Sequence, residues 1–273
     1  MKKYWFYAYA GVGMLIFLLV ICLSSLGDAR MRVYFLDVDQ GDATLVRTPM
    51  NEYVLIDGGP GDKVLEELSA ILPFYERTID VLILTHPHAD HVNGLVDVLK
   101  RYDVRQVVTT GASYGDAGYF KFLGLVREKG VEIVYIDGSS DYKMGSVFFD
   151  FLFPMESIQG KHFENINNSS ITFRLFGGEE VYYFSGDLEV EGEEMLIEAG
   201  LNLRADVFQA GHHGSRTSNS EELLDMMKPQ VAVISCGVDN RFKHPHAETL
   251  RKFRERGTLV HRTDLEGTVE VGI

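Results

Sequence analysis

The sequence predicts an α/β fold in which two β-sheets pack against each other between outer layers of helices. Strand-like apolar runs alternate with amphipathic helical runs, and this order occurs once in each half of the chain. After an apolar N-terminal stretch, about 245 residues remain, a length that suits one large domain or two small ones. The 45% apolar content is that of an ordinary globular protein with a sizeable core.

In the first half, apolar runs of period two or without interruption predict strands, and an apolar period near 3.6 predicts helices. The predicted strands are 32–37, 43–47, 52–56, 81–85, 104–109 and 132–136. The predicted helices are 64–72, 92–102 and 118–129. The run 81–85 is continuously apolar, which is typical of a strand that is buried on both faces.

The second half repeats this order. Its predicted strands are 147–153, 171–176, 181–184, 206–210, 231–236, 258–261 and 268–271. Its predicted helices are 189–199, 221–227 and 246–256. A stretch rich in Gly, Ser and Asp at 137–142 is the predicted link between the halves.

The N-terminus carries Lys2 and Lys3 before an uncharged run over 4–27. A run of this length can cross a bilayer as one helix, which needs about 20 residues. The sequence therefore predicts a membrane anchor over 1–29, followed by a globular domain over 30–273. A cleaved signal peptide and a buried helix are the alternatives. The two lysines favour a cytoplasmic N-terminus, which would place the domain outside the cytoplasmic membrane.

The charge balance is acidic, with 26 basic and 40 acidic residues and a net charge of −14. This sign argues against a non-specific nucleic-acid binder, although bound divalent cations reverse the field locally. The two cysteines, Cys22 and Cys236, form neither a disulfide framework nor a CxxC zinc motif.

The strongest chemical signal follows the apolar strand at 81–85. His86, His88, Asp90 and His91 place four potential metal ligands within six residues. Strand-to-helix loops are where functional sites lie in α/β proteins, and imidazole with carboxylate suits zinc, manganese or iron. The segment predicts a metal centre; the alternative is a solvated polar turn.

Further candidate ligands follow strands of the second half. Asp187 could bridge two cations, or it could cap the helix that follows it. His212 and His213 form a pair at a strand end, which favours a site over two structural histidines. His244 could face substrate, or its segment could be a helix-start turn with Pro245 near the first position.

Four aspartates at the ends of early strands form a weaker group. Asp37, Asp39, Asp42 and Asp57 could orient ligand histidines through hydrogen bonds, or they could be ordinary turn residues. We predict the orienting role for Asp37 and Asp57, favour it most for Asp57, and leave Asp39 undecided.

The run His86–His91 resembles the HxHxDH signature of the metallo-β-lactamase superfamily. The ordered segments 35–43, 56–59, 167–170, 185–187, 211–215 and 244–246 narrow the resemblance to the extracytoplasmic hydrolase domain of the ComEC competence proteins. It covers 32–273 and implies an αββα sandwich with the site along one edge.

The resemblance also implies two divalent metal ions, zinc or manganese. It assigns His86 and His88 to the first ion, Asp90 and His91 to the second, and Asp187 to the bridge between them. One of His212 and His213, with His213 preferred, would bind the second ion. Many superfamily hydrolases have a further histidine for the first ion where this chain has Asn167 and Asn168, and we expect Asn168 to orient ligands instead.

The predicted function is a metal-dependent hydrolase, a phosphodiesterase or nuclease that uses a metal-bound hydroxide. Two cations lower the pKa of water toward 7 and clamp the attacked group. Asp90 or Asp187 would orient the hydroxide, and His244 with a backbone N–H of Gly214 or Ser215 would stabilise charge on the phosphate. The predicted substrate is a phosphoester, with DNA as one candidate, and no obligate protein partner is expected. The alternatives are an acyl hydrolase of lactonase or β-lactamase type and a non-catalytic, membrane-tethered metal-binding domain.

Overall fold

The computed structural model describes residues 5, 7, 9, 11–17, 30–138 and 140–271. Within 30–138 and 140–271, fourteen strands form two seven-stranded sheets with helices on their outer faces. The predicted α/β architecture of two sheets flanked by helices is therefore confirmed.

The first sheet has the strand order β14-β1-β2-β3-β4-β5-β6. Its strands are β1 (Arg32–Phe35), β2 (Thr44–Arg47), β3 (Tyr53–Ile56), β4 (Thr78–Leu84), β5 (Asp103–Thr109), β6 (Glu132–Tyr135) and β14 (Val269–Val271). Its helices are α1 (Lys63–Ile71), α2 (Ala89–Arg101) and α3 (Ala117–Lys129).

The second sheet has the order β13-β12-β11-β10-β9-β8-β7. Its strands are β7 (Asp141–Met144), β8 (Val147–Phe153), β9 (Thr172–Phe176), β10 (Val181–Phe184), β11 (Val207–Gln209), β12 (Val231–Ile234) and β13 (Leu259–Arg262). The helices of this half are α4 (Val190–Glu198), α5 (Glu221–Met227), α6 (Ala247–Glu255) and α7 (Thr263–Glu266).

Within each sheet, the strands that come first in the chain pair antiparallel, and the later ones pair parallel. The pairings β3–β4, β4–β5 and β5–β6 are parallel in the first sheet. In the second sheet, β10–β11, β11–β12 and β12–β13 are parallel. Parallel strands end at the same edge of a sheet, so the loops that follow them gather there.

Three apolar layers hold the sheets and helices together. The middle layer lies between the sheets and includes Phe35, Phe173 and Phe184, the last two stacked with ring centroids 4.9 Å apart. One outer layer packs the first sheet against its helices, for example through Leu95. The other packs the second sheet against its own helices, for example through Phe253.

Two short elements escaped prediction. Strand β7 occupies part of the predicted link at 137–142, so the passage between the sheets is shorter than expected. Helix α7 has four residues, too few for a periodic apolar pattern.

The predicted N-terminal segment over 4–27 lies mostly outside the described residues. Its described part, residues 5, 7, 9 and 11–17, is helical and exposed. No helix within the described residues combines the length and apolarity needed to span a bilayer. The membrane anchor stays a prediction.

Two glycines bring the start of helix α2 against the loop after β3. The Gly58 N–H donates to the His91 carbonyl at 2.8 Å, and the Gly94 N–H donates to the Gly59 carbonyl at 3.0 Å. A Cβ on Gly94 would lie 1.8 Å from the Gly58 carbonyl oxygen, so any side chain there pushes the helix away. This contact fixes the position of the helix that carries His91.

We expect Gly94→Ala to lower the free energy of unfolding by about 3 kcal/mol, because the added methyl group meets rigid backbone. The measurement is urea unfolding of the metal-free protein. Gly124→Ala is the matched control: Gly124 is also within a helix, but its Cβ would meet nothing within 4 Å. There we expect a gain of about 0.5–1 kcal/mol. Equal stability of Gly94→Ala and wild type would refute the close-packing argument.

Candidate metal centre

The candidate site lies where loops from both sheets meet. His86 and His88 follow β4, and His91 lies in the first turn of α2. Asp187 follows β10, and His213 follows β11. The polar residues that the sequence marks at separate strand ends are thus neighbours in space.

The Asp187 carboxylate is the centre of the cluster. Its Oδ1 lies 3.4 Å from His91 Nε2. Its Oδ2 lies 3.7 Å from His86 Nε2 and 3.7 Å from His213 Nε2. The side chain is only 2% exposed, so its charge is compensated by these neighbours and not by water.

The ligand atoms divide into two main groups. His86, His88 and Asp187 form the first group, and Asp90, His91 and His213 form the second. Within each group the potential ligand atoms all lie within 4.8 Å of one another. His86 Nε2 is 3.0 Å from His88 Nδ1, and His213 Nε2 is 3.3 Å from Asp90 Oδ2. Each group has the size and the donors of one divalent-cation site.

The unpaired atoms of the cluster test whether cations fit. His91 Nε2, His213 Nε2 and Asp187 Oδ1 are buried and make no hydrogen bond. Such an orphan atom costs about 1–3 kcal/mol, so buried polar groups normally have partners. Here the orphans belong to one cluster of imidazole and carboxylate donors, and bound divalent cations would satisfy them. The residues present therefore fit a metal centre.

The opposite side of His91 is held by Asp57. His91 Nδ1 lies 2.9 Å from Asp57 Oδ2, which leaves Nε2 directed at Asp187. Asp57 also accepts hydrogen bonds from the Thr85 N–H at 2.8 Å and the Thr85 hydroxyl at 2.7 Å. Asp57 thus lies where an aspartate that orients a ligand histidine belongs.

Asp42 has the corresponding contact with His213. Its Oδ1 lies 3.2 Å from His213 Nδ1, and the Ser235 carbonyl is 3.1 Å from the same nitrogen. The prediction that Asp37 orients a ligand histidine is wrong, because Asp37 forms an ion pair with Lys63 at 2.9 Å. Asp39 contacts the same lysine at 3.0 Å.

His212 lies at the margin of the cluster. Its Nε2 is 3.8 Å from Asp187 Oδ2, and its side chain is 23% exposed. Its Nδ1 is 3.2 Å from Glu189 Oε1, a residue that sequence reasoning missed although it lies two positions after Asp187. Asn168, which was expected to orient ligands, accepts the Glu189 N–H through its side-chain oxygen at 3.0 Å.

The two adjacent histidines have a strained backbone. His212 has φ 50° and His213 has φ 55°, both in the left-handed region, which is uncommon for residues other than glycine although asparagine, aspartate and histidine adopt it more often than most. Asn219 secures this turn by accepting the Gly211 N–H and donating to the Gly211 carbonyl, both at 2.9 Å. Strain of this kind persists where the surroundings enforce it, and it clusters at functional sites.

The histidines of the cluster differ in the direction in which their pKa values are shifted. Burial, with the neighbouring His91, lowers the pKa of His86 well below its usual range. Burial also lowers the pKa of His91, but Asp187 and Asp57 outweigh it and raise that pKa well above the usual range. In the same way, Asp187 and Asp42 outweigh burial and raise the pKa of His213. Without cations, protons on His91 and His213 therefore neutralise the buried carboxylates.

His244 lies beside the cluster, on the loop between β12 and α6. Its ring centroid is 5.4 Å from that of His212 and 6.0 Å from that of His213. Burial and the neighbouring His213 lower the pKa of His244 to about 4, so its ring is neutral at pH 7. Its buried Nδ1 makes no hydrogen bond.

Ser215, a predicted backbone donor, uses its N–H for the His212 carbonyl at 2.8 Å, so that part of the prediction is wrong.

The same loop carries exposed cationic and aromatic side chains. The Arg241 guanidinium lies 4.7 Å from the Phe242 ring centroid, and Phe242 is 45% exposed. Next to them is an open cavity of about 410 Å³, whose lining includes Lys243, His244 and Arg262. The lining also includes Asp239 and Asp264, and Asp264 pairs with Arg262, so the exposed positive charge beside the cluster is that of Arg241 and Lys243.

Comparison with known proteins agrees with this geometry. Residues 36–238 match the family model of the metallo-beta-lactamase superfamily. ComE operon protein 3 of Bacillus subtilis is 33% identical over 93% of this chain and 34% of its own length. Competence protein ComA of Neisseria gonorrhoeae is 33% identical over 87% of this chain and 31% of its own length. The chain thus spans about a third of the length of each of these two curated relatives.

Among solved structures, the metallo-beta-lactamase fold protein YhfI from Bacillus subtilis superposes with a TM-score of 0.58 at 12% identity. The match covers 89% of this chain and 99% of that one, and it supports the shared fold. This fold typically binds divalent metals, in agreement with the candidate ligand groups described above.

We expect metal loading to release about two protons per protein molecule at pH 7, because cations bind neutral imidazole. The pKa values of His91 and His213 are raised, so these rings hold protons below those values and lose them as the pH rises through them. Proton release should therefore decline as the pH rises. The measurement is zinc titration of chelator-treated protein in weak buffer with a pH indicator.

His261→Ala is the control for this titration, because His261 pairs with Glu266 at 2.8 Å and belongs to neither ligand group. Its proton count should equal that of wild type. Zinc binding without proton release would contradict the assignment of charge in the cluster.

Proposed function

The chain belongs to the metallo-β-lactamase superfamily and is a metal-dependent hydrolase; from that premise we propose that it is a phosphodiesterase whose site holds two divalent cations, zinc or manganese. One observation carries the proposal. The Asp187 carboxylate lies between the two ligand groups: its Oδ1 is 3.4 Å from His91 Nε2, and its Oδ2 is 3.7 Å from both His86 Nε2 and His213 Nε2. A carboxylate in this position suits a bridge between two cations.

Bound cations of this kind lower the pKa of water and neutralise negative charge on a phosphoryl group. The residues of the chain supply the remaining requirements. Asp57 and Asp42 fix His91 and His213, which keeps the Nε2 atoms directed inward. Asp90 is the most exposed carboxylate of the two ligand groups, at 30%, so it is the acceptor best placed to orient an entering water.

His244 suits a role at the phosphate. The lowered pKa, to about 4, keeps its ring neutral at pH 7, so it acts as a hydrogen-bond donor and not as a cation. A donor that is held in place beside developing charge stabilises it without reorganisation. Asn240 holds the backbone at this position, because its side-chain oxygen accepts the main-chain N–H of His244 at 2.9 Å.

The surroundings favour a nucleic-acid phosphodiester over a small neutral ester. Arg241 and Lys243 bring positive charge to the edge of the site, and Phe242 offers an exposed ring of the kind on which bases stack. The relatives named as competence proteins make DNA the first substrate to test. An acyl hydrolase on the same cations is the second candidate, because the family signature is shared with lactamases.

The two candidates differ in the substrate they turn over. We expect hydrolysis of bis-p-nitrophenyl phosphate and of single-stranded DNA by the zinc- or manganese-loaded protein, and no turnover of a chromogenic β-lactam or a lactone. Asp90→Ala should lower phosphodiester turnover by about 10²-fold or more. Asp97→Ala is the control, since Asp97 lies on the same helix and pairs with Lys100. Turnover of only the lactam or lactone would replace the proposal with the acyl hydrolase, and full loading without any turnover would favour a binding domain.

We expect His244→Ala to lower kcat for bis-p-nitrophenyl phosphate by about 10²–10³-fold, the usual cost of losing one oxyanion donor. Metal content, measured by elemental analysis, should stay at the wild-type value. His246→Ala is the matched control, because His246 is a half-buried histidine of the same loop that belongs to neither ligand group, and its Nδ1 accepts the Arg216 N–H at 3.1 Å. Equal losses in the two variants would remove His244 from the proposed role.

A further inference from the structure

The edge of the first sheet that lies opposite the metal centre carries exposed apolar side chains. Strands β1, β3 and β4 run in the same direction, because β2 pairs antiparallel with β1 and with β3, and β4 pairs parallel with β3. The ligands follow the end of β4, so the three strands begin at the other edge of the sheet. We call this the entry edge; it comprises the start of β1, the turn at 48–52 and the loop at 72–77.

The loop at 72–77 ends in two aromatic residues. The Glu76 N–H donates to the Pro73 carbonyl at 2.8 Å, which makes Phe74 and Tyr75 the central residues of a β-turn. Their rings contact each other edge to face, with centroids 5.3 Å apart, and the two residues are 87% and 71% exposed. Turn centres usually hold Gly, Pro, Asn, Asp or Ser. The turn itself therefore does not account for two aromatic side chains.

The neighbouring turn at 48–52 also has an apolar tip. The Asn51 N–H donates to the Thr48 carbonyl at 2.9 Å, so Pro49 and Met50 are its central residues. Met50 is 67% exposed. This turn joins β2 to β3, and β3 is the neighbour of β4 in the sheet, so the two turns lie about 10 Å apart or less. The apolar tips thus form one patch on the entry edge.

The apolar N-terminal run leads into the same edge. The uncharged run over 4–27 ends five residues before Arg32, the first residue of β1. An extended chain covers at most about 3.6 Å per residue, so the run ends within about 18 Å of the entry edge.

The described part of this run is helical, and its large apolar side chains are exposed. Their exposed fractions range from 53% for Val12 to 70% for Tyr9. The rest of the described chain thus leaves this apolar surface uncovered. A contiguous apolar surface of this kind marks an interaction site, and a lipid bilayer matches the length and the composition of the run.

We propose that the entry edge lies on a lipid bilayer, with Met50, Phe74 and Tyr75 in the interfacial layer beside the N-terminal run. Tyrosine concentrates at that depth because its ring is apolar and its hydroxyl reaches the head groups, and Phe74 and Met50 add apolar area for the acyl boundary. Strand β4 has seven residues and spans about 23 Å, so the metal centre at its far end faces away from the lipid. This orientation rests on the predicted membrane anchor and not on the proposed hydrolysis.

The test uses tryptophan fluorescence of the whole chain in vesicles. Trp5 is the only tryptophan in the sequence, so Trp5→Phe gives a background without tryptophan emission. On this background, Phe74→Trp places a reporter at the entry edge. Leu265→Trp is the matched control: Leu265 is 70% exposed and lies on α7, whose Asp264 lines the same cavity as His244.

The proteins are reconstituted in phosphatidylcholine vesicles, with or without bromine on the acyl chains. A zwitterionic lipid is chosen because the net charge of −14 disfavours an anionic surface. We expect brominated lipid to remove about half or more of the emission of Phe74→Trp, because a ring at the acyl boundary contacts the quencher. The emission of Leu265→Trp should be unchanged.

Vesicle flotation establishes whether each protein is bound to lipid. Unquenched emission from bound Phe74→Trp, or equal or stronger quenching of Leu265→Trp, would overturn the orientation. Protein that does not float with the vesicles would overturn the lipid partner, and a dimer in solution would then assign the patch to a second copy of the chain. If Phe74→Trp fails to fold, Tyr75→Trp on the same turn decides by the same criteria. Turnover is not part of the readout, so each of these results leaves the proposed function standing.

Discussion

The burial of the Asp187 carboxylate is the constraint on which the rest of the site depends. An isolated buried charge is far too costly for a folded protein, so it must be paired, protonated or bound to metal. Asp187 is surrounded by imidazoles from both halves of the chain, and two of their nitrogens, His91 Nε2 and His213 Nε2, make no hydrogen bond. The aspartates on the far nitrogens keep these rings in place. The negative charge of the buried carboxylates is therefore neutralised either by bound cations or by protons on the histidines.

The fold brings these charges together through two features of the backbone. Parallel strands bring the loops after β4, β10 and β11 to one edge, which places ligands that are remote in sequence side by side. Close approach at Gly58 and Gly94 then sets helix α2 against the loop that carries Asp57. The apolar layer between the sheets keeps both halves in register, so the precision of the site derives from the core beneath it.

Much of the architecture could be predicted from the sequence, because the spacing of apolar residues in long runs indicates whether a segment is a strand or a helix. Most predicted boundaries lie within one to three residues of the observed ones, whereas β7 and α7 are too short and polar for periodicity to reveal. The candidate ligands were recognisable as polar residues at strand ends. Their partners were not: Asp37 and Asp42 look equivalent in sequence, and only the fold brings Asp42 to a histidine 171 residues away. Glu189 was missed for the same reason, since the turn that brings His212 to its carboxylate comes later in the chain.

The division of ligands between the halves has a consequence for the order in which the chain matures. His86, His88, Asp90 and His91 leave the ribosome together, but Asp187 and His213 follow about a hundred residues later, at a translation rate of roughly 5–20 residues per second. The early segment supplies only part of each ligand group, so neither cation site is complete before the second half has been made. Firm retention must await the closing of the second sheet against the first. Tight metal retention therefore reports that synthesis and folding of both halves are complete.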